Sequence, residues 1–189
     1  MNFSNYIENI IESQEFDSQI SEIFSFFKPL QLTKNNFLVE KGKICEYFCF
    51  IENGVLQHSI EVSEEERTTY LALKNSCTAA LKSYLQKTPS RKSIKALSNC
   101  NLQVILVADF KHLLKTNKVF QQFYYTLIEK QIFLIDDYRI DLLTLTPEDR
   151  YKKLLLNEPN LLGEVPLRYL ASFLGISTRH MSRIRKNIK

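Results

Sequence analysis

The chain has 189 residues, 44% of them apolar and 12% aromatic, enough for one ordinary core and a small second module. Its net charge of +4 is unevenly divided: residues 1–150 hold 17 basic and 19 acidic side chains, net −2, whereas residues 151–189 hold 8 and 2, net +6. It has no run of about 18 uncharged apolar residues and no basic start followed by an apolar block, which argues against a membrane span or secretory leader and predicts a soluble, cytoplasmic protein.

Residues 3–28 place Tyr6, Ile7, Ile10 and Ile11, then Ile20, Ile23, Phe24 and Phe27, at the three- and four-residue spacings of amphipathic helices, with Pro29 stopping the pattern. From Leu30 to about Ala108 the texture changes to short β-branched and aromatic runs punctuated by turn residues, the mark of a β-sandwich or jelly roll. Tyr47–Glu52 and Val55–Ile60 flank Asn53-Gly54, which predicts a hairpin with a two-residue turn. Ser93–Leu97 and Leu102–Val107 flank Ser98–Asn101 as a second pair, and Thr78–Gln86 between them reads as a short helix ending before Pro89. Cys45, Cys49, Cys77 and Cys100 have neither CxxC spacing nor nearby His pairs, so they read as reduced thiols packed as small apolar side chains.

Asp109 is placed to cap a helix over Phe110–Leu114, and a longer helical pattern runs from Lys118 to Leu145. That long helix has two apolar stripes. Phe120, Phe123, Leu127, Leu134 and Leu142 lie along one side, and Tyr124, Ile128, Ile132 and Ile135 populate another. A helix apolar on two faces must be buried on two faces, either as the central helix of a monomer or against a symmetry mate, and its length favours the second, a homodimer. The seam expected at the two-fold is Phe120, Phe123, Leu127, Gln131, Leu134 and Tyr138. Thr146-Pro147-Glu148-Asp149 then starts a fresh helix, with Thr146 as N-cap, proline at the first position and carboxylates in the first turn. The helix over Arg150–Leu156 stops near Asn157-Glu158-Pro159, and a loop follows to Val165.

The densest signal lies in Pro166–Lys186. Ala171 is small enough for a close helix crossing, Gly175 sits where a tight turn wants positive φ, and Ser177 is placed to cap a second helix. Leu170, Leu174, Ile176, Met181 and Ile184 supply an apolar wedge, while Arg179, Ser182, Arg183 and Lys186 share the opposite face with Thr178 near its start. This is a helix-turn-helix, and the +6 charge of its surroundings suits phosphate neutralisation. Arg179 and Arg183 carry the forked donors that read guanine O6 and N7, with His180 and Ser182 as secondary contacts. Thr178, Lys186 and Arg168 are expected to grip phosphates, and Ser177 to act chiefly as the cap.

The whole arrangement resembles the Crp/Fnr family of transcription regulators. The resemblance rests on Glu40-Lys41-Gly42, Phe50–Val55 and Ser90–Leu97 in the strand-rich part, and most specifically on Leu170–Ser177 and Ser182-Arg183-Ile184. It implies an α+β chain: N-terminal helices and a cyclic-nucleotide-binding-type β-roll (a double-stranded jelly roll) over residues 1–117, a dimerisation helix over 118–145, and a helix-turn-helix domain over 146–189. It also implies a pseudo-palindromic DNA operator and RNA polymerase as partners, and no catalytic residue, cofactor or metal. Members that bind cyclic nucleotides carry a Gly-Glu pair and, some ten residues on, an Arg. The corresponding stretch Cys77–Tyr84 has neither Gly nor acid, and the Arg position falls on Ser90, so control by cyclic AMP is not expected. The cysteine cluster of oxygen-sensing members is missing as well, and with the chain stopping at Lys189 no winged hairpin is expected.

Two other readings stand beside this one. A metal-dependent enzyme needs a His/Glu cluster in the roll, yet only His58 lies there and His112 follows on the next helix. There is also no Ser-His-Asp order and no phosphate-cradling Gly loop. A ligand-sensing or protein-interaction module of the same fold with little DNA binding is the third.

Overall fold

The computed structural model describes residues 3–11, 17–159 and 161–187. Helices α1 (Phe3–Ile11) and α2 (Asp17–Phe26) come first, and their apolar spacing buries Phe3, Ile7, Ile20 and Ile23. Eight strands follow: β1 (Lys28–Leu32), β2 (Phe37–Val39), β3 (Tyr47–Asn53), β4 (Leu56–Val62), β5 (Glu65–Ala72), β6 (Cys77–Thr78), β7 (Ser93–Ala96) and β8 (Cys100–Leu106). They form two four-stranded sheets, ordered β1-β8-β3-β6 and β2-β7-β4-β5, with antiparallel pairing throughout. Pro29 sits on the edge strand β1, where a missing N–H removes no ladder bond on the solvent side. Phe48, Phe50, Ile51, Leu56, Ile94, Leu102 and Val104 fill the interior. Phe3 of α1 closes it by stacking on Phe50, ring centroids 4.6 Å apart.

The two strand pairs expected to be hairpins are not hairpins. β3 is flanked by β8 and β6, whereas β4 pairs with β5 and β7 in the other sheet. The Asn53-Gly54 turn therefore carries the chain across from one sheet to the other. Only Gly54 takes positive φ, +97°, and a Cβ there would lie 2.6 Å from Cys100 Sγ. A mirror-image hairpin turn needs positive φ at both central residues. β7 and β8 likewise belong to opposite sheets. The tight hairpin is β4–β5, closed by Ser63 and Glu64 at φ 51° and 65°, with Val62 opposite Glu65.

Other local boundaries also move. Thr78 belongs to β6, and the short helix α3 covers Leu81–Gln86, ending at Lys87 in the left-handed region. Helix α4 (Val107–Thr116) begins before Asp109, with Leu106 as its N-cap and no side-chain cap bond. Asp109 instead adds a carboxylate to the first turn, where the helix dipole favours it. The long helix α5 (Lys118–Thr144) is capped by Asn117, whose side chain accepts the Phe120 N–H at 2.8 Å. Its first turns run through the core: Phe120 packs edge-on to Phe110, and Phe123 against Phe3 and Tyr6. Among the described residues no helix is long and apolar enough to cross a membrane.

Candidate nucleic-acid interface

After α5, four helices build a second core: α6 (Pro147–Asn157), α7 (Leu161–Glu164), α8 (Leu167–Phe173) and α9 (Thr178–Asn187). Helix α7 occupies part of the segment expected to be loop. Thr146 caps α6 by accepting the Asp149 N–H, with Pro147 in the first turn. Tyr151, Leu161, Val165, Leu170, Ala171, Leu174, Met181 and Ile184 are all buried and form one cluster that also includes Val55, Leu71 and Leu97 of the roll. Ala171 is 1% exposed, which fits a close crossing of α8 and α9.

The turn between those helices follows from its residues. Gly175 takes φ +71°, and the Ile176 N–H reaches back to the Ala171 carbonyl at 3.0 Å, the six-to-one bond of a glycine-ended helix. The Ser177 hydroxyl accepts the His180 N–H at 3.2 Å and starts α9. With Met181 and Ile184 facing inward, Thr178, Arg179, Ser182, Arg183 and Lys186 are exposed and His180 is half-buried. Among the described residues no carboxylate forms an ion pair with Arg179, Arg183, Arg185 or Lys186. The Ser182 hydroxyl donates to the Thr178 carbonyl at 2.9 Å, a back-bond it must release before contacting anything else.

Arg168 stands apart from that face. Its guanidinium lies 4.6 Å from the Tyr169 ring centre and donates to the Tyr169 hydroxyl at 2.7 Å. It lines a cleft of about 280 Å³ with Glu66 and Lys95 of the roll. Arg185, exposed in the last turn of α9, adds a positive charge on the flank of that face, near Tyr151, and was missed; its place among the basic residues that end α9 was the available signal.

The expected dimer seam needs correction at two positions. Phe120 and Phe123 are 0% exposed inside the chain's own core and cannot meet a partner. Tyr138 stacks on Phe173 of α8, centroids 5.3 Å apart. Leu127 is partly buried against the core and Gln131 is half-buried, while Leu134 is exposed. The side of the second stripe is the one that stays uncovered: Ile132 and Ile135 are exposed and Ile128 half-buried, joined there by exposed Tyr125 and by Leu142 of the first stripe, whereas Tyr124 packs on Phe110 in the core. The physical reason is that α1, α2 and α4 pack on the N-terminal half of α5 and take up the first stripe.

No family model matches the chain, and no curated protein matches it by sequence. Solved structures do match. The chain is similar to a transcriptional regulator described as of the crp/fnr family from Eubacterium rectale (TM-score 0.69, 16% identity, 97% of this chain and 87% of that one). The fold is of the Crp/Fnr type. FixK2 from Bradyrhizobium japonicum gives a TM-score of 0.71 at 13% identity, over 86% of this chain and 84% of that one. The Catabolite Activator Protein of Thermus thermophilus gives 0.59 at 16%, over 95% and 86%. At such identities the likeness concerns the fold, a β-roll followed by C-terminal helices.

Within this Crp/Fnr fold, the roll interior is lined by the chain's own polar groups. His58 is 2% exposed with Nε2 2.7 Å from Thr78 Oγ1 of the opposite sheet, while Gln57, on the other face of β4 toward α8, donates to Thr68 Oγ1 at 2.9 Å. Burial, followed by the charge of Lys92, pushes the His58 pKa well below its ordinary value, so the ring is neutral. Ser90 is buried and its hydroxyl donates to the Lys92 carbonyl at 2.6 Å, while Arg91 is exposed. Ser83 accepts the Cys45 N–H and donates to the Thr88 carbonyl.

Proposed function

We propose that this chain is a sequence-specific, DNA-binding transcription regulator that acts as a homodimer and is not controlled by cyclic AMP. The observation that carries the reading is the exposed, acid-free basic face of α9 on a helix-turn-helix whose wedge residues Leu170, Leu174, Met181 and Ile184 are buried and Ile176 half-buried. The recognition helix enters the major groove of each half-site, with half-site centres about 34 Å apart. Arg179 and Arg183 read guanine, His180 and Ser182 assist, and Thr178 and Lys186 hold phosphates. Arg168 reaches phosphate only by leaving Tyr169, and Ser177 serves as the cap. The uncovered stripe of α5 through Tyr125, Ile128, Ile132, Ile135 and Leu142 supports the homodimer better than the stripe led by Phe120. Independence from cyclic AMP is supported by Ser90, which stands at the phosphate-binding position as a small hydroxyl already bonded to the Lys92 carbonyl. RNA polymerase is the further partner that this reading entails.

The test begins with selection of an operator from a random duplex library. Arg183→Ala and Lys186→Ala are then compared on that operator and on scrambled DNA at two salt concentrations. Arg183→Ala should lose about 1–3 kcal/mol per half-site and relax preference at one base pair, whereas Lys186→Ala should weaken all sequences alike and reduce the salt slope by about one. Failure of the wild type to select any sequence defeats the reading, and an unchanged specificity ratio in Arg183→Ala defeats the readout assignment.

A further inference from the structure

The last carbonyls of a helix have no intrahelical partner. In α8 the six-to-one bond of the turn satisfies Ala171, and two later carbonyls, those of Phe173 and Leu174, are met from outside the helix-turn-helix motif. The Tyr138 hydroxyl, on α5, donates to the Phe173 carbonyl at 2.8 Å while its ring stacks on the Phe173 ring at 18° between planes. The Arg150 guanidinium, on α6, donates through Nη2 to the Leu174 carbonyl at 3.0 Å and through Nη1 to the Leu142 carbonyl of α5 at 3.4 Å. One planar group thus spans the ends of the long helix and of α8. Lys153 ties α6 to α5 a second time through Asp141, at 2.6 Å and 2.9 Å. The Tyr138 and Arg150 contacts converge on the turn from which α9 emerges, and none of the groups involved lies on the exposed basic face.

We propose that Tyr138 and Arg150 are positioning residues that fix the angle between α5 and the recognition helix, and thereby set the single half-site spacing that the homodimer accepts. This rests on the DNA-binding reading above. With the uncovered stripe of α5 at the two-fold, any rotation of the α8–α9 turn about α5 is doubled across the dimer. One inserted base pair moves a half-site by roughly 3.4 Å and 34°. A pinned turn cannot follow that displacement, whereas a released turn can.

The experiment uses the full chain and measures affinity for the selected operator and for versions with one base pair added or removed at the centre. Wild type should disfavour the altered spacings by about tenfold or more. Tyr138→Phe, which keeps the ring on Phe173, combined with Arg150→Gln should reduce that discrimination to about threefold or less, with affinity for an isolated half-site within about twofold of wild type. Arg150→Lys, which reaches one carbonyl but not two, should restore part of the discrimination. An equal loss at every spacing indicates a merely structural role and overturns the proposal, as does unchanged discrimination in a variant whose thermal melting is normal. If wild type selects no DNA, the functional reading fails by itself, and the pinning is judged without DNA. Spin labels at Lys130→Cys and Arg185→Cys, with the native cysteines buried, should then give a narrow distance distribution that broadens in the double variant. An unchanged distribution overturns the pinning.

Discussion

Replacing Ile132 with Glu separates the two stripes of α5. Ile132 leaves 58% of its surface exposed in the single chain and Ile135 leaves 53%, so neither contributes much to the chain's own core. Full burial of an isoleucine is worth about 1.5–3 kcal/mol, so about 1–1.5 kcal/mol per copy remains to be gained against a partner, and a two-fold seam counts it twice. Ile132→Glu therefore removes about 2–3 kcal/mol from the dimer, and two carboxylates brought into an apolar seam add further desolvation. The dimer dissociation constant should rise at least about 100-fold. Urea unfolding of the dissociated chain should move little, as for most surface substitutions. Phe120→Glu serves as the contrast: Phe120 is wholly buried, so that variant should fail to fold rather than fold as a monomer. Sedimentation velocity from about 0.1 to 50 µM gives the measurement. A wild type that is monomeric throughout refutes the homodimer. A dimer that survives Ile132→Glu but is broken by Leu134→Glu refutes the choice of stripe.

Gly54→Ala and Gly175→Ala should differ in cost although both glycines have positive φ. At Gly54 the new Cβ meets Cys100 Sγ at 2.6 Å and the Asn99 carbonyl at 2.7 Å, so strain and overpacking together should cost about 3 kcal/mol; Gly175 faces open space and should cost about 1 kcal/mol, with equal losses in urea titrations counting against the sheet-crossing role of Gly54. Because His58 is held neutral when folded and its folded pKa lies below the unfolded one, the unfolded chain takes up the extra proton: its contribution is fully present above the unfolded value of about 6.5 and is lost as pH falls below it. Stability should therefore fall between pH 7.5 and 5.5, by on the order of 1 kcal/mol, seen as a urea midpoint shift that His58→Gln should abolish; a slope retained in that variant assigns the effect elsewhere.

What could be read in advance divides by sequence distance. The turn of the helix-turn-helix is specified by neighbours: Ala171 for the crossing, Gly175 for the left-handed residue and Ser177 for the cap, each judged from its own chemistry. Asn53-Gly54 was equally visible as a turn, but which sheet each flanking strand joins depends on β6 and β8, whose pairing with β3 brings together residues 27 to 59 positions apart. Periodicity likewise exposed two apolar stripes on α5 without saying which one the chain keeps for itself, since the answer lies in Phe3 and Tyr6 at the far end of the sequence. The contacts of Tyr138 and Arg150 were wholly hidden, because their acceptors are backbone carbonyls, which every residue has. A side chain can thus advertise what it donates while its target leaves no mark in the sequence. Residues that pin one helix end to another are therefore harder to foresee than those on an exposed charged face: Arg183, proposed to read DNA, is legible from charge and helical spacing, whereas the contacts of Arg150 exist only once the carbonyl ends of α5 and α8 are brought together around it.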